Sequence, residues 1–498
     1  MCTILITEYY IRVKTFLPMS LAKSKPSKKV LGVFTLTMIN VALIQSLRNL
    51  PVTAEVGWAA VFFYAVTGFG FFIPCALISA ELATGWPSTG GVYTWVKEAF
   101  GDRWGFVAVW LQWVENVIWY PTVLSFTAAT IAYLFNPELA NNKFYILAMI
   151  LITYWTCNII DSLGMKASGL ISSIGVIMGT LIPGAIIIIL GFLWVFIGHP
   201  SEITFSWGAL YPDLSNIQNI VFLVAVMLGF AGMEVSAVHA REVKNPQKHY
   251  PIAIFMSTII ILFISLFGSL AIAIVVPQKN ISLVAGIMQA FSAFFEIYGA
   301  PWLTPVLAAL IATGAFAMVS TWIVGPSKGL FQTAHEGHIP PFFHKKNRNG
   351  MPIRIMLVQG CVVSLLCSAF LFMPTVSSSY WILNDLTALL YIIMYTLLFS
   401  SAIYLRYSQP KVKRAYRIPG GKYWGMWLIA GIGLASCLFA FVIGFIPPAQ
   451  LDMGALLHFE LFLGIGVVSM FLLPLIIYAF QKNHWKYDVL HEKSENSK

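Results

Sequence analysis

The sequence predicts an all-α integral membrane protein that crosses the bilayer twelve times. Of its 498 residues, 58% are apolar and only 10% are charged, and the mean hydropathy is +0.79. Soluble domains carry about 25% charged residues. Long apolar stretches recur along the chain, and a bilayer-spanning helix needs about 20 such residues. No segment between these stretches is long enough to form a separate soluble enzyme domain.

Short loops join the predicted spans, and two tails flank them. The tails cover residues 1–30 and 481–498, and the membrane domain covers residues 31–480. The predicted spans lie near residues 31–50, 57–83, 104–134, 144–160, 169–198, 217–238, 251–276, 302–325, 354–374, 380–407, 424–447 and 458–480.

Lysine and arginine are distributed unevenly over the loops. If the N-terminus is cytoplasmic, the outer loops hold only Arg48, Lys143 and Lys279 of the 30 basic residues, and the other 27 lie inside. Since cytoplasmic loops carry an excess of basic residues, both termini are predicted to be cytoplasmic. The net charge of +10 therefore reflects orientation in the lipid bilayer, and no nucleic-acid partner is predicted.

The sixth span contains a break that is followed by an acid. Gly229 and Gly232 loosen the helical backbone on either side of Phe230, and Glu234 places an ionisable group inside the span. Lipid cannot satisfy the freed backbone groups, so such a break persists only where it lines a protein-enclosed cavity. Carboxylates within the membrane are usually functional. The combination predicts a transporter's binding site, although Glu234 could instead be a structural partner for a helix end.

The spacing of the spans indicates an internal repeat. The first and sixth spans are five apart, as a five-plus-five inverted repeat requires. The repeats would cover about residues 31–198 and 217–407, with peripheral helices at about 424–480. The first span carries Thr37 and Asn40 as candidate site residues. The alternative for Asn40 is a hydrogen bond to a neighbouring helix.

Several motif blocks occur in a fixed order along the membrane domain. They are Ser79-Ala80-Glu81-Leu82-Ala83 with Gly90-Gly91-Val92-Tyr93, Gly232-Met233-Glu234-Val235-Ser236 with Asn245-Pro246, Trp322-Ile323-Val324-Gly325-Pro326-Ser327, and Arg417-Ile418-Pro419-Gly420-Gly421. These blocks resemble those of the amino acid/polyamine/organocation (APC) superfamily of permeases. The resemblance is strongest to the bacterial glutamate/γ-aminobutyrate antiporter branch.

The resemblance implies a LeuT-like fold in which helices one and six are discontinuous and helices three, eight and ten flank the substrate. It implies an antiporter in a bacterial inner membrane, which exchanges an external amino acid for a related internal amino acid or amine by alternating access. No enzymatic activity, cofactor, metal or protein partner is expected. A half-helix N-terminus suits a substrate carboxylate, and freed carbonyls at the opposing half-helix C-terminus suit an ammonium group.

The third span carries a second acid. Gln112, Glu115 and Trp119 fall on one helical face, at i, i+3 and i+7. In the implied fold this helix borders the pocket, which makes Glu115 and Trp119 candidate substrate-binding residues. A buried, hydrogen-bonded acid without a transport role is the equal alternative for Glu115.

Aromatic residues supply the remaining candidates. Trp322 on the eighth span could line or gate the pocket, and Tyr391 and Tyr395 on the tenth are i, i+4 neighbours whose hydroxyls can face one cavity. All three could equally pack in a core. Glu81 is expected to anchor the Gly-Gly loop that follows the second span.

Two segments depart from the family pattern. The usual glycine-rich break of the first helix is replaced by residues 37–42, and the segment Arg48-Asn49-Leu50-Pro51 lacks the tyrosine expected of the glutamate exchanger. Met318 also stands where a second acid is expected in the eighth helix. The side chain of the substrate therefore stays open.

Other functions fit the sequence less well. Proton-coupled symport, with Glu234 or Glu115 as the proton carrier, is the nearest alternative, and a nutrient sensor built on the same fold is a remote one. A membrane enzyme would need a polar catalytic cluster, and a channel would need a pore lined by repeated polar rings. Neither pattern occurs in the sequence.

Overall fold

A computed structural model describes residues 32–88, 90–163, 175, 177–235, 243–448, 456–482 and 485. All the regular elements assigned in this part of the chain are helical. The α-helices are α1 (Val33–Ile44), α2 (Leu50–Ala54), α3 (Ala60–Thr67), α4 (Ile73–Gly85), α5 (Val92–Phe100), α6 (Asp102–Ala132), α7 (Lys143–Ser162), α8 (Ile182–Ile197), α9 (Phe222–Gly229), α10 (Pro246–Ala273), α11 (Gly286–Ile297), α12 (Leu303–His335), α13 (Ile353–Leu366), α14 (Ala369–Phe372), α15 (Val376–Ser408), α16 (Trp424–Ile443) and α17 (Leu456–Ala479).

Ten stretches of the described residues are long and apolar enough to cross a membrane. The prediction of an all-α, multi-span membrane protein is therefore confirmed. The first and third predicted spans are absent from the ten but are helical. The first is divided between α1 and α2, and the third forms the 31-residue α6, whose polar side chains lower its hydropathy. The total of twelve spans stays a prediction.

Helices α6 and α15 form the centre of the structure. Helix α15 packs against α6, α9 and α16, and α6 also packs against α12. In the most apolar stretch of α15, 78% of the residues are buried, against 17% in α17. Side chains on the inner faces of α6, α9, α12 and α15 can therefore meet away from lipid, whereas α17 lies at the periphery.

The first span is interrupted directly after α1 ends. Gln45 and Ser46 are extended, with ψ angles of 114° and 128°, and a short 3₁₀ turn at Leu47–Asn49 leads into α2. Residues 37–42, which replace the family's glycine-rich break, are helical throughout and belong to α1. Thr37 and Asn40 therefore lie on a continuous helix, and the helix is interrupted at Gln45 and Ser46.

The sixth span is interrupted at its predicted glycines. Helix α9 ends at Gly229, and Gly232 takes a φ of +113°. This backbone conformation is open to glycine but strained for residues with a Cβ atom. Glu234 follows two residues later. Residues 236–242, which include the rest of the sixth-span motif, lie outside the described part of the chain.

Candidate functional site

The carboxylate of Glu234 is held between the break in the sixth span and helix α15. The Tyr391 hydroxyl donates to Oε1, the Tyr395 hydroxyl donates to Oε2 at 2.5 Å, and Gln112 Nε2 donates to Oε1 at 3.3 Å. Only 1% of Glu234 is exposed. Since every contact donates to the carboxylate, this geometry fits the ionised, acceptor-only form of the side chain.

Tyr395 also fixes the backbone of the break. The Gly232 N–H donates to the Tyr395 hydroxyl at 2.8 Å, while that hydroxyl donates to Glu234. One phenol therefore connects the strained glycine with the carboxylate. A movement of α15 relative to the sixth span would disturb both bonds together. We call Gly232, Glu234, Tyr391 and Tyr395 the carboxylate hub.

A cavity of about 50 Å³ lies beside the carboxylate hub. Four of the predicted site residues line it: Glu115, Trp119, Trp322 and Tyr391. Residues of the first span also line it, among them Arg48 and Asn49. Tyr391 connects this cavity to the hub, because its hydroxyl donates to Glu234. Helices α6, α12 and α15 therefore border a small site that contains both polar and aromatic groups.

Glu115 is the second buried acid of this region. It is 3% exposed, and its Oε1 accepts a hydrogen bond from the Asn116 amide. That amide also donates to the Gln112 carbonyl at 2.9 Å, which orients it within α6. Glu115 thus presents a polar group to the cavity from a fixed helical position.

Two tryptophans form the aromatic side of the cavity. The rings of Trp119 and Trp322 lie 5.9 Å apart between centroids. The Tyr120 hydroxyl donates to the Trp322 carbonyl at 2.8 Å, and a Cβ atom placed at Gly232 would lie 3.7 Å from the Trp322 ring. Trp322 is therefore in close contact with both α6 and the break in the sixth span.

Three of the predicted site residues neither line this cavity nor belong to the carboxylate hub. Thr37 Oγ1 is 3.5 Å from the Ala253 carbonyl, and Asn40 Nδ2 is 3.4 Å from Ser257 Oγ, so both polar groups face helix α10. Phe230 stacks on Phe72 at 4.9 Å and borders a separate cavity of about 10 Å³. These residues pack the surroundings of the breaks and do not contact the space beside Glu115.

Arg48 is not among the site residues predicted from the sequence. Its assignment to an outer loop is wrong, because the side chain is 2% exposed and lines the cavity beside Glu115. Its Nη1 donates to Thr122 at 2.9 Å, to Tyr380 at 3.0 Å and to Asn384 at 3.1 Å. The feature that could have identified it is a charged residue two positions after the polar pair Gln45-Ser46, which interrupts an apolar stretch.

Glu81 lies away from the cavity and has different partners from those expected. Its carboxylate accepts from Arg406 at 3.0 Å and from the Ile418 N–H at 2.8 Å, and Arg414 Nε lies 3.2 Å from it. It therefore connects α4 with the end of α15 and the segment that follows, and no bond to the Gly90-Gly91 loop is formed in the described structure.

A charged cluster connects the ends of α5, α6 and α12. Lys97 Nζ lies 2.8 Å from Asp102 and 3.0 Å from Glu336, and the Tyr93 hydroxyl lies 3.1 Å from His338 Nε2. The Asp102, Glu336 and His338 side chains are close enough to hold a metal ion. Because the Lys97 ammonium already pairs with both carboxylates, the arrangement fits an ion-pair network.

A larger polar cavity of about 770 Å³ is lined by loop residues that include Glu55, Asp213 and Lys279. Glu55 lies between α2 and the span that begins at Gly57, and burial raises its pKa from 4.5 to about 8. The folded protein therefore binds a proton at Glu55 that the unfolded chain releases between these two values. Stability is expected to fall as the pH rises through this range.

Replacing Glu55 with glutamine should remove that part of the pH dependence, because the amide mimics the neutral acid. The measurement is the thermal unfolding midpoint in detergent from about pH 5 to 9. Asp213→Asn is the control, since hydrogen bonds to Ser215 lower the pKa of Asp213 and this change leaves the slope above pH 5 intact. Equal slopes for Glu55→Gln and the unmodified protein would contradict the assignment.

The helical architecture, the two interrupted spans and the buried acids beside the cavity define a multi-pass membrane transporter. A family model described as amino acid permease matches residues 31–470. The chain belongs to this family, which is part of the APC superfamily.

Curated relatives are similar over most of the chain. An uncharacterized transporter of Legionella pneumophila is 46% identical over 458 residues, which are 92% of this chain and 98% of that protein. A glutamate/gamma-aminobutyrate antiporter of Lactococcus lactis is 31% identical over 91% of each chain. A probable agmatine/putrescine antiporter of Lactococcus lactis is 24% identical over 74% of this chain and 78% of that protein.

Proposed function

We propose that this protein is an amino-acid antiporter that exchanges an external amino acid for a related internal amino acid or amine. The observation that carries the proposal is the carboxylate hub, in which Glu234 joins the broken sixth span to α15 beside a cavity lined by polar and aromatic groups. A buried charge that connects two elements at a break can couple the occupation of the site to their relative movement. The antiporter names of similar proteins agree with this mechanism.

The proposal includes twelve spans in a LeuT-like five-plus-five inverted repeat, with both termini on the cytoplasmic side of a bacterial inner membrane. The interruptions at Gln45–Ser46 and Gly229–Gly232 occur in spans one and six, five apart. Alternating access would occur as one repeat rocks about the site at the breaks. Residues 31–480 form the transporter domain, between the N-terminal tail and the C-terminal tail.

The proposed substrate contacts are Glu115, Trp119, Trp322 and Tyr391, which border the cavity. Glu234, with Gly232 and Tyr395, would respond to the substrate through the hydroxyl of Tyr391. Phe230, Thr37 and Asn40 would support the broken helices. Their side chains pack against neighbouring helices.

Proton-coupled amino-acid symport is the second candidate. The observation in its favour is the presence of two buried acids, Glu115 and Glu234, which are 3% and 1% exposed. Glu115 lines the same cavity as Tyr391, and the Tyr391 hydroxyl donates to Glu234. An acid that gains and loses a proton in each transport cycle would supply the coupling. The two candidates differ in what drives net uptake.

Radiolabelled amino-acid uptake into proteoliposomes separates the two mechanisms. The vesicles are preloaded in turn with each amino acid or amine, or left empty, and a pH gradient is imposed in half of the samples. The expected result is uptake that requires a counter-substrate inside the vesicles and does not depend on the pH gradient. Uptake into empty vesicles that follows the gradient would instead establish symport, and an absence of transport with every pair would refute both.

A further inference from the structure

Arg48 is a buried cation that has no anionic partner among the described residues. Its three side-chain hydrogen bonds all go to neutral groups, on Thr122, Tyr380 and Asn384. Its Nε is buried and has no hydrogen-bond partner in the described structure. The side chain is 2% exposed, so solvent does not neutralise it.

An uncompensated buried charge is costly, and arginine does not shed its proton to avoid this cost. The burial of Arg48 without an anionic partner therefore lowers the stability of the protein unless another molecule supplies an anion. Arg48 lines the same cavity as Glu115, so a molecule in that cavity can reach both residues. A guanidinium matches the geometry of a carboxylate particularly well, because it can donate two parallel hydrogen bonds.

The second half of the first span is a weaker candidate than Arg48 for binding a carboxylate. Helix α2 has only five residues and carries Pro51 in its first turn, and proline has no N–H to donate. The N-terminus of this half-helix, a position expected from the sequence to bind the carboxylate, thus offers one N–H group fewer. The Arg48 side chain supplies the positive charge at the same break.

We propose that Arg48 binds a carboxylate of the transported molecule, while Glu115 faces its ammonium group. The inference rests on the proposed transport function and specifies its substrate class: carboxylate-bearing amino acids, rather than amines without a carboxylate. Glutamate and gamma-aminobutyrate, named for one relative, carry this group, whereas agmatine and putrescine, named for another, do not. The charge arrangement of this cavity favours the first pair.

Arg48 also contacts aromatic rings, which suggests a competing structural role. Its guanidinium carbon lies 5.6 Å from the ring centroids of both Trp119 and Tyr380. An arginine that only braces these rings would affect all substrates equally, and mainly the maximal rate. A carboxylate-binding arginine would change KM, and only for substrates that carry a carboxylate.

The first test uses the unmodified protein in proteoliposomes and unlabelled competitors in matched pairs that differ by one carboxyl group. The pairs are L-arginine with agmatine, L-ornithine with putrescine, and gamma-aminobutyrate with n-propylamine. Each competes against the labelled substrate identified by the exchange assay. The carboxylated member is expected to compete about thirtyfold more strongly or better, the scale of a lost partner in a buried charge pair. Equal competition within the pairs, or a transported substrate without a carboxylate, would overturn the inference.

The second test uses Arg48→Gln and Arg48→Lys, with Arg354→Gln as the control. Arg354 donates to the Phe342 carbonyl and borders none of the cavities described above. Arg48→Gln should raise KM for the carboxylated substrate about thirtyfold or more at a similar maximal rate. Arg48→Lys should recover part of the affinity, and Arg354→Gln should resemble the unmodified protein.

The outcomes distinguish this inference from the proposed function. If Arg48→Gln and Arg48→Lys lower the maximal rate equally with KM unchanged, Arg48 is a structural brace. If Arg48→Gln does not fold, the competitor pairs on the unmodified protein still decide the question. A complete absence of exchange by the unmodified protein would refute the transport proposal itself, and the inference would fall with it.

Discussion

Glu234→Gln is expected to reduce exchange about hundredfold or more, because hydrogen bonds to a charged acceptor contribute about 1.5–3 kcal/mol each and the hub contains two from tyrosines. A glutamine side chain can accept only through its oxygen. Its amide nitrogen would face one of the two hydroxyls. If it faces Tyr395, that hydroxyl meets two donors, since it already accepts from the Gly232 N–H. The Tyr395 O–H would then have no acceptor on the sixth span, which weakens the connection between the break and α15.

The measurement is counterflow in proteoliposomes at several pH values, with the folded fraction checked by gel filtration in detergent. Glu460→Gln on the peripheral helix α17 is the control, because Glu460 is exposed and belongs to no cavity described here. Exchange at the unmodified rate with an unaltered pH profile would remove Glu234 from the mechanism. Intact exchange with loss of proton-driven uptake would instead identify Glu234 as a proton carrier.

The parts of this site that sequence could anticipate are those governed by helical periodicity. Tyr391 and Tyr395 are one turn apart, so their hydroxyls share a face of α15 whatever lies opposite, and both reach Glu234. The same regularity brings Gln112 to Glu234 and places Glu115 beside the cavity. The spacing of residues on one helix predicts which side chains share a face, whereas the meeting of these faces at one site was implied by the resemblance to the permease family.

The remainder depends on tertiary packing. Thr37 and Asn40 are polar residues in an apolar helix, and only the position of α10 directs them to Ala253 and Ser257. Arg48 comes two residues after the polar pair Gln45-Ser46. The same sequence pattern is typical of a helix that ends and continues into a loop. The chain continues into α2, so the same residues form an interruption inside the protein. Counting charges per loop cannot distinguish these cases.

Replacement of Glu81 is expected to lower the stability of the protein. It is buried with two arginines on one carboxylate: the side chains of Glu81, Arg406 and Arg414 are 1%, 1% and 3% exposed. Arg406 Nη2 also donates to the Ile418 carbonyl at 3.2 Å, while the Ile418 N–H donates to Glu81. The acid therefore neutralises two buried cations and fixes the backbone of the segment that follows α15.

Replacing Glu81 with alanine is expected to destabilise the protein by about 3–5 kcal/mol, since removal of one partner leaves buried charge without compensation. Glu98→Ala is the matched control, because Glu98 makes an exposed hydrogen bond to Gln409 and its loss should change stability by about 0.5 kcal/mol or less. Denaturant unfolding in detergent compares the two variants. Adding Arg406→Met to Glu81→Ala should recover part of the loss, because one uncompensated cation is then removed with it. If Glu81→Ala is no less stable than Glu98→Ala, the two arginines are neutralised by another group and Glu81 does not hold α4 to the end of α15.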